Sequence, residues 1–526
     1  MQADVRRASS PAEPTATASD VQAFAREGSL TLAGVGFGAS LQFALVLVVT
    51  HGLDPGAAGT FLETVSLFTI LSLSALLGAD AGLVRTIPRL LQSDRSSDIR
   101  PTIRVALVPV TVVSAIAAVV VYALAPELAH VFFDQAHRAS GASDIRTAVP
   151  FLPLSALMTV ALAGTRAFGT MVPYVLVQNV ALPATRVLLV LAVVAAGLGG
   201  IAVALAWSVP LAAGGVVALL LLWRLVGRPS AASKPPRSAA SIAAGFWRFA
   251  APRALAYVFE VIVLSLDVLL VGAFASTRKA AIYAAATRLA SVGTFLLQAI
   301  SRPLAPQFSA LLARGERERT GALYQLSTWW VMALSWPAYL TFAVFGPLIL
   351  RIFGHAYPAG ATALLILSLG FLFVLGSGSV TPLLLMAGKS SWNLANSAFG
   401  LALNVALNLV LIPRIGIAGA ATAAAVTMTA VNLAAIVELR FLLGLRPFGR
   451  GYPVVAVAAA VCYGGLGLAL RLGLGATPGA LAAAVLGGTL AYAFLLRRFR
   501  GTLHLGELGE IVTAALGSAR RLRSGK

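Results

Sequence analysis

Apolar runs of eighteen or more residues recur along almost the whole chain, separated by short breaks rich in Pro, Gly and charge. A run of that length crosses the ~30 Å hydrocarbon core as a helix, so its repetition predicts a polytopic helical membrane protein. The short alternating segments of an outer-membrane barrel are not found. The pattern predicts fourteen helices, at about 29–50, 60–84, 103–125, 147–168, 172–196, 200–223, 247–272, 281–305, 324–346, 360–387, 391–412, 417–440, 453–471 and 478–496. The expected fold class is all-α: two six-helix lobes in parallel pseudo-two-fold repeat, plus two C-terminal helices.

The breaks set the organisation. Residues 1–27 are rich in Ser, Ala, Pro and Thr and read as a disordered cytoplasmic tail without a cleavable signal peptide. The N-terminal lobe covers 28–223. A linker at 224–246 carries Pro229, Pro235, Pro236 and several Ser. The C-terminal lobe covers 247–443, the two extra helices 444–496, and a basic tail 497–526. Six helices per lobe is even, so both lobes enter the membrane in the same sense, as parallel repeats do.

Within this pattern one stretch stands out. The run from Phe246 to Ala273 is long enough to cross a bilayer yet carries Arg253, Glu260 and Asp267, seven residues apart. At 100° per residue each is turned only about 20° from the last, so they form one stripe on one helical face. A charge at membrane depth costs roughly 2.5–3.5 kcal/mol on insertion scales, and such residues face a bundle interior or a wet cavity. The next helix carries Arg288 and Arg302, fourteen residues apart and also close to one face. Asp267 and Arg288 match in depth, whereas Glu260 has no partner in this hairpin.

Two readings follow. In the functional one, Arg253, Arg288 and Arg302 attract an anionic headgroup, while Glu260 and Asp267 couple transport to an ion. In the structural one, an Asp267–Arg288 pair fixes packing, and Arg253 and Arg302 snorkel to the inner interface. The first lobe adds Gln42, the main polar group inside helix one, and Arg85, which reads as a phosphate contact or, with Arg89, as topogenic charge. Arg186, seven residues after Asn179, suits an interhelical hydrogen bond. Gly34 and Gly38 form a small-xxx-small pair for close packing, and Pro150, Pro183, Pro337 and Pro382 mark kinks.

Composition narrows the function classes. The 526 residues are 59% hydrophobic and 11% charged, with net charge +20. Nucleic-acid binding is set aside because the basic residues cluster beside the spans. With the N-terminus inside, 29 Lys+Arg fall in cytoplasmic segments against 7 in external loops, which predicts N-in, C-in topology in a bacterial inner membrane. A single cysteine, Cys462, excludes an intrachain disulfide, and the five histidines show no metal-ligand spacing. No Walker motif is found, so ATP is not the direct driver. The external loops are too small for a catalytic domain. No catalytic residue, metal or cofactor is expected, only a proton or Na⁺ gradient.

The run LNVALNLVLIPRIGIAGAATAAA at 403–425 resembles the signature of the Wzx-type oligosaccharide-lipid flippases, members of the multidrug/oligosaccharidyl-lipid/polysaccharide (MOP) superfamily. Its elements are Asn404, Asn408, Ile412-Pro413, Gly416 to Ala421 and Thr422. Gly52-Leu53-Asp54-Pro55, Asp267 to Gly272, Tyr283, Arg288 and Phe353-Gly354 resemble other stretches of that family. The resemblance implies a cavity lined by helices 1, 2, 7 and 8, and flipping of an undecaprenyl-linked glycan by alternating access for surface-polysaccharide assembly. It implies a lipid-linked oligosaccharide and the bilayer as partners, with a polymerase and glycosyltransferases alongside. A lipid II flippase and a cation-coupled exporter are the alternatives. The lipid II branch places Arg in the cavity half of helix one, and here that helix has none.

Overall fold

The computed structural model describes residues 18–227, 237–387, 390–449 and 451–499, and these are helical almost throughout. Among the described residues thirteen helices are long and apolar enough to cross a membrane, and a bent one raises the number to fourteen. Large apolar side chains stay exposed around the bundle, Phe441 at 85% and Leu490 at 73%. In a bilayer this is the solvated surface, since lipid is as apolar as the side chains.

The first half opens with α1 (Ala18–Gly52), which starts upstream of the expected position. Asp54 then caps α2 (Pro55–Ser74), accepting from the amides of Gly56 at 2.8 Å and Ala57 at 3.3 Å, with Pro55 in the first turn. Instead of the single helix expected at 60–84, α2 stops and α3 (Ala79–Gln92) follows. The break is at Gly78, whose φ of +73° is left-handed and whose absent Cβ would lie 2.4 Å from the carbonyl oxygen of Ala250. Next come α4 (Ile99–Ala123), α5 (Ala125–Phe132), α6 (Arg138–Ala148) and α7 (Leu152–Ala167). The expected external loop at 126–146 is therefore largely helical.

A short α8 (Val172–Tyr174) passes into a π-helical stretch, Val175–Ala181, before α9 (Leu182–Ala195). Pro183 cannot donate to the carbonyl of Asn179, which is consistent with wider winding there. α1 packs tightly on this stretch: a Cβ on Gly34 would meet Val175, and one on Gly38 would lie 2.5 Å from the Asn179 oxygen. The two glycines thus do the close packing expected of them. Arg186 donates to the Trp207 carbonyl at 2.9 Å and stacks over that indole, joining α9 to α10 (Gly200–Ser208); α11 (Pro210–Leu225) follows.

The second half begins with α12 (Ala239–Phe274), bent by 45° between Val263 and Ser265. It is followed by α13 (Thr277–Ala290) and α14 (Val292–Ala313) where one helix, 281–305, was expected. The Tyr339 hydroxyl occupies this break. It donates to the Ala290 carbonyl and accepts from the Gly293 amide at 2.9 Å, entering the helical hydrogen-bond ladder. Tyr339 belongs to α15 (Arg317–Leu350), which kinks at Phe345, two residues before Pro347. α16 (Ala361–Gly376) and α17 (Val380–Met386) part at Gly378, φ +61°, where Tyr324 donates to the Ser377 carbonyl at 2.8 Å. The last described elements are α18 (Ser390–Ile415), α19 (Ile417–Leu443), α20 (Gly451–Ala459), a second π stretch, α21 (Leu466–Leu474) and α22 (Pro478–Arg498).

α12 is the crossroads. It packs on α2, α3 and α4 of the first half and on α13 and α18 of the second, and α2 also runs against α13. At the opposite edge of the linker, Asp98 accepts from the Arg237 amide at 2.8 Å and lies 3.6 Å from the guanidinium of Arg95.

Candidate transport site

The polar stripe of α12 faces a second polar row, on α18. Asn393, Ser397, Asn404 and Asn408 are spaced by four, seven and four residues, so they share one helical face. Glu260 stands opposite the upper pair, with Asn393 Nδ2 and Ser397 Oγ each 3.4 Å from its Oε1. Asp267 stands opposite the lower pair. Its Oδ1 accepts from Asn408 Nδ2 at 2.7 Å, and its Oδ2 accepts from the Tyr283 hydroxyl at 3.2 Å. Asn408 Nδ2 also reaches Asn404 Oδ1 at 3.0 Å.

This lower cluster is fully inside the protein: Asp267 is 7% exposed, and Asn404, Asn408 and Tyr283 are 0%. Among the described residues Asn408 Oδ1 has no hydrogen-bond partner. Leaving such an oxygen unsatisfied costs about 1–3 kcal/mol. A buried carboxylate beside amide and phenol oxygens offers the hard ligands that a proton or a monovalent cation takes.

The Asp267–Arg288 pair expected from depth does not form: among the described residues no ion pair joins them. Helix rotation is the reason. Tyr283 is the α13 residue turned toward Asp267, and Arg288, five residues on, points about 140° away. Arg288 is half-buried and makes no hydrogen bond through its guanidinium to a described residue. Arg253 and Glu260 are exposed, so the upper part of the stripe is open while its lower end is closed. The side chain of Arg302 lies outside the described residues. The break at Ser291 also removes the shared face proposed for it and Arg288.

The first half supplies the other wall. Arg85 of α3 sets its guanidinium over the ring of Phe249 on α12, 3.9 Å from the centroid. Phe249 and Arg253 are one turn apart, so Arg85 and Arg253 occupy the same face of α12. Tyr257, one turn further, lies within electrostatic range of Asp80, Tyr174, Glu260 and Arg166, and Arg166 stacks on Tyr174 at 4.6 Å. Gln42 is exposed on α1 and makes no hydrogen bond through its side chain to a described residue. Tyr257, Arg166, Asn393 and Ser397 were not singled out from the sequence. The four-residue spacing of Asn and Ser along α18 was the available signal.

Midway along α2, Glu63 is completely buried, and a Cβ on Gly272 of α12 would lie 2.4 Å from its Oε1. Beside it, Asp134 accepts from the Thr277 amide at 3.1 Å and from His137 at 2.6 Å, and its own amide donates to the Thr277 hydroxyl at 3.3 Å. Burial pushes the Asp134 carboxyl upward, but the bonds from His137 and Thr277 outweigh it and hold the group below its ordinary value.

The family described as polysaccharide biosynthesis protein matches residues 64–359, more than half of the chain. The chain belongs to that family. The matched region contains Arg85, Arg253, Glu260, Asp267, Arg288 and Arg302, and stops before the polar row of α18. No curated protein matches the chain by sequence.

Solved structures share the fold. The lipid II flippase MurJ in an inward closed conformation superposes with a TM-score of 0.70 at 11% identity, covering 90% of this chain and 99% of that one. An inward-facing multidrug resistance MATE family transporter of the MOP superfamily gives 0.66 at 14%, covering 80% and 98%. A MOP superfamily transporter from Pyrococcus furiosus gives 0.56 at 14%, covering 80% and 95%. The architecture is therefore the MOP fold, one that transporters and flippases use.

Proposed function

We propose that the chain moves a polyprenyl-(pyro)phosphate-linked oligosaccharide across the bacterial inner membrane, from the cytoplasmic to the outer leaflet. The single observation that carries this reading is the open part of the α12 stripe. Arg253 and the Arg85–Phe249 stack share one exposed face at the end near the linker, where a bilayer-embedded pyrophosphate would enter. Cations facing a cavity fit an anionic headgroup. Arg288, and Arg302 from the same hairpin, would take the headgroup deeper, and Gln42 would hydrogen-bond the sugar from α1.

Glu260 and the Asp267–Asn404–Asn408–Tyr283 cluster would hold the coupling proton or Na⁺. The six-helix units 28–223 and 247–443 would rock about the α2–α12 and α2–α13 contacts, with both termini cytoplasmic and no catalysis. A polysaccharide polymerase and glycosyltransferases would be the neighbours in assembly.

The test is flipping in proteoliposomes of a fluorescent undecaprenyl-pyrophosphate sugar, with and without an imposed proton or Na⁺ gradient. Gradient-stimulated flipping lost in Arg288→Ala and Glu260→Gln is the expected result. Gradient-driven efflux of an organic cation without flipping of any polyprenyl substrate would overturn it in favour of an exporter.

A further inference from the structure

The positive-inside pattern leaves few cations for the external side, yet three of those few converge on one cleft. A cavity of about 660 Å³ opens where the turn joining α12 to α13 meets the turn joining α18 to α19, beside the short helical turn Tyr357–Gly360. Arg278 and Lys279 enter it from the first turn of α13, and Arg414 from the end of α18. All three are exposed, and none makes a hydrogen bond through its side chain, or an ion pair, to a described residue. No acidic residue lines the cleft.

Three unpaired cations around one space repel each other, and basic residues outside oppose the charge bias that orients the chain. An anion would relieve both the repulsion and the lack of partners. The first turn of α19 also lines the cavity, so its amide end adds positive potential. The remaining wall is apolar, made by Phe274, Ile282, Ile412, Ile415 and Ile417. Phe274 and Ile415 are 45% and 53% exposed, so that wall continues into the lipid-facing surface.

We infer that this cleft binds a phosphate group carried by a lipid at the outer membrane surface, the cations around the phosphate and the apolar wall against the first methylenes of its chain. The site requires that the protein sit in a bilayer with this end outside but not that it flips a lipid, so it stands or falls separately from flipping.

The test uses the full-length chain in detergent with three soluble probes: dioctanoyl phosphatidylglycerol, farnesyl phosphate and inorganic phosphate. A basic residue near an anionic headgroup is worth about fivefold in affinity, so replacing all three should weaken lipid-phosphate binding about a hundredfold. The variant R278Q/K279Q/R414Q should keep the wild-type thermal midpoint, since none of the three side chains has a partner to lose. Ala359→Trp fills the cleft without altering charge and should also abolish binding. Tighter binding of farnesyl phosphate would identify a polyprenyl carrier as the occupant, and tighter binding of the glycerolipid would identify bulk lipid. Wild-type affinity in both variants would overturn the site, as would inorganic phosphate binding as tightly as the lipids.

Discussion

Replacing Asn408 with Ala tests whether the buried end of the stripe holds the coupling ion. In the structure Asn408 Nδ2 is 2.7 Å from Asp267 Oδ1, while the Tyr283 hydroxyl stands 3.2 Å from Oδ2. A short bond to an ionised carboxylate contributes about 1.5–3 kcal/mol, and the phenol contact to the same carboxylate, being longer, contributes about 0.5–1.5 kcal/mol. Asn408→Ala also removes Oδ1, an oxygen with no protein partner that a cation would use. At 1.4 kcal/mol per factor of ten, the concentration of the coupling ion that half-saturates flipping should shift about 10–100-fold in Asn408→Ala and about 2–10-fold in Tyr283→Phe. Arg288→Ala, expected to lose gradient-stimulated flipping altogether, serves as the inactive control. Proteoliposome flipping titrated against Na⁺ and against pH reads all three variants, with thermal unfolding as the check on folding. An unchanged half-saturation in Asn408→Ala, in protein that folds normally, would refute an ion role for this cluster.

Three further outcomes follow from the geometry. Tyr339→Phe removes both hydrogen bonds that hold the α13–α14 break, and should destabilise the protein by about 1–3 kcal/mol, read as a lower unfolding midpoint; an unchanged midpoint would mean that the break persists without the hydroxyl. Gly78→Ala places a Cβ 2.4 Å from the Ala250 carbonyl at a φ of +73°, so α2–α3 must draw away from α12 at a cost of about 2 kcal/mol or more, seen as reduced folded yield; normal yield would show that the approach is not required. Asp134 is held below its ordinary value, so its stabilisation is complete above pH ~4 and is lost as pH falls through its lower folded value. Asp134→Asn should therefore lower the unfolding midpoint at pH 6 and narrow the gap from wild type at pH 3; a gap that stays constant would refute the linkage.

Much of this was legible in the chain itself. Hydrophobic run length is a property of a single segment, and burial in lipid rewards it segment by segment. The helical spans, the membrane class and the close packing at Gly34 and Gly38 of α1 could therefore be read directly, though not the element they pack on. The seven-residue spacing of Arg253, Glu260 and Asp267 likewise defined one face of α12, because periodicity reports how a helix presents its own side chains. Periodicity carries no information on how a neighbour is rotated. Depth alone paired Asp267 with Arg288, but packing turned Tyr283 inward instead and brought Asn404 and Asn408 from more than a hundred residues away. Nor could continuous apolar runs reveal the breaks at Gly78, Ser291 and Gly378. Those arise where another element enters the helix, as Tyr339 does, or where backbones approach too closely for a Cβ, and only the assembled bundle brings such groups together.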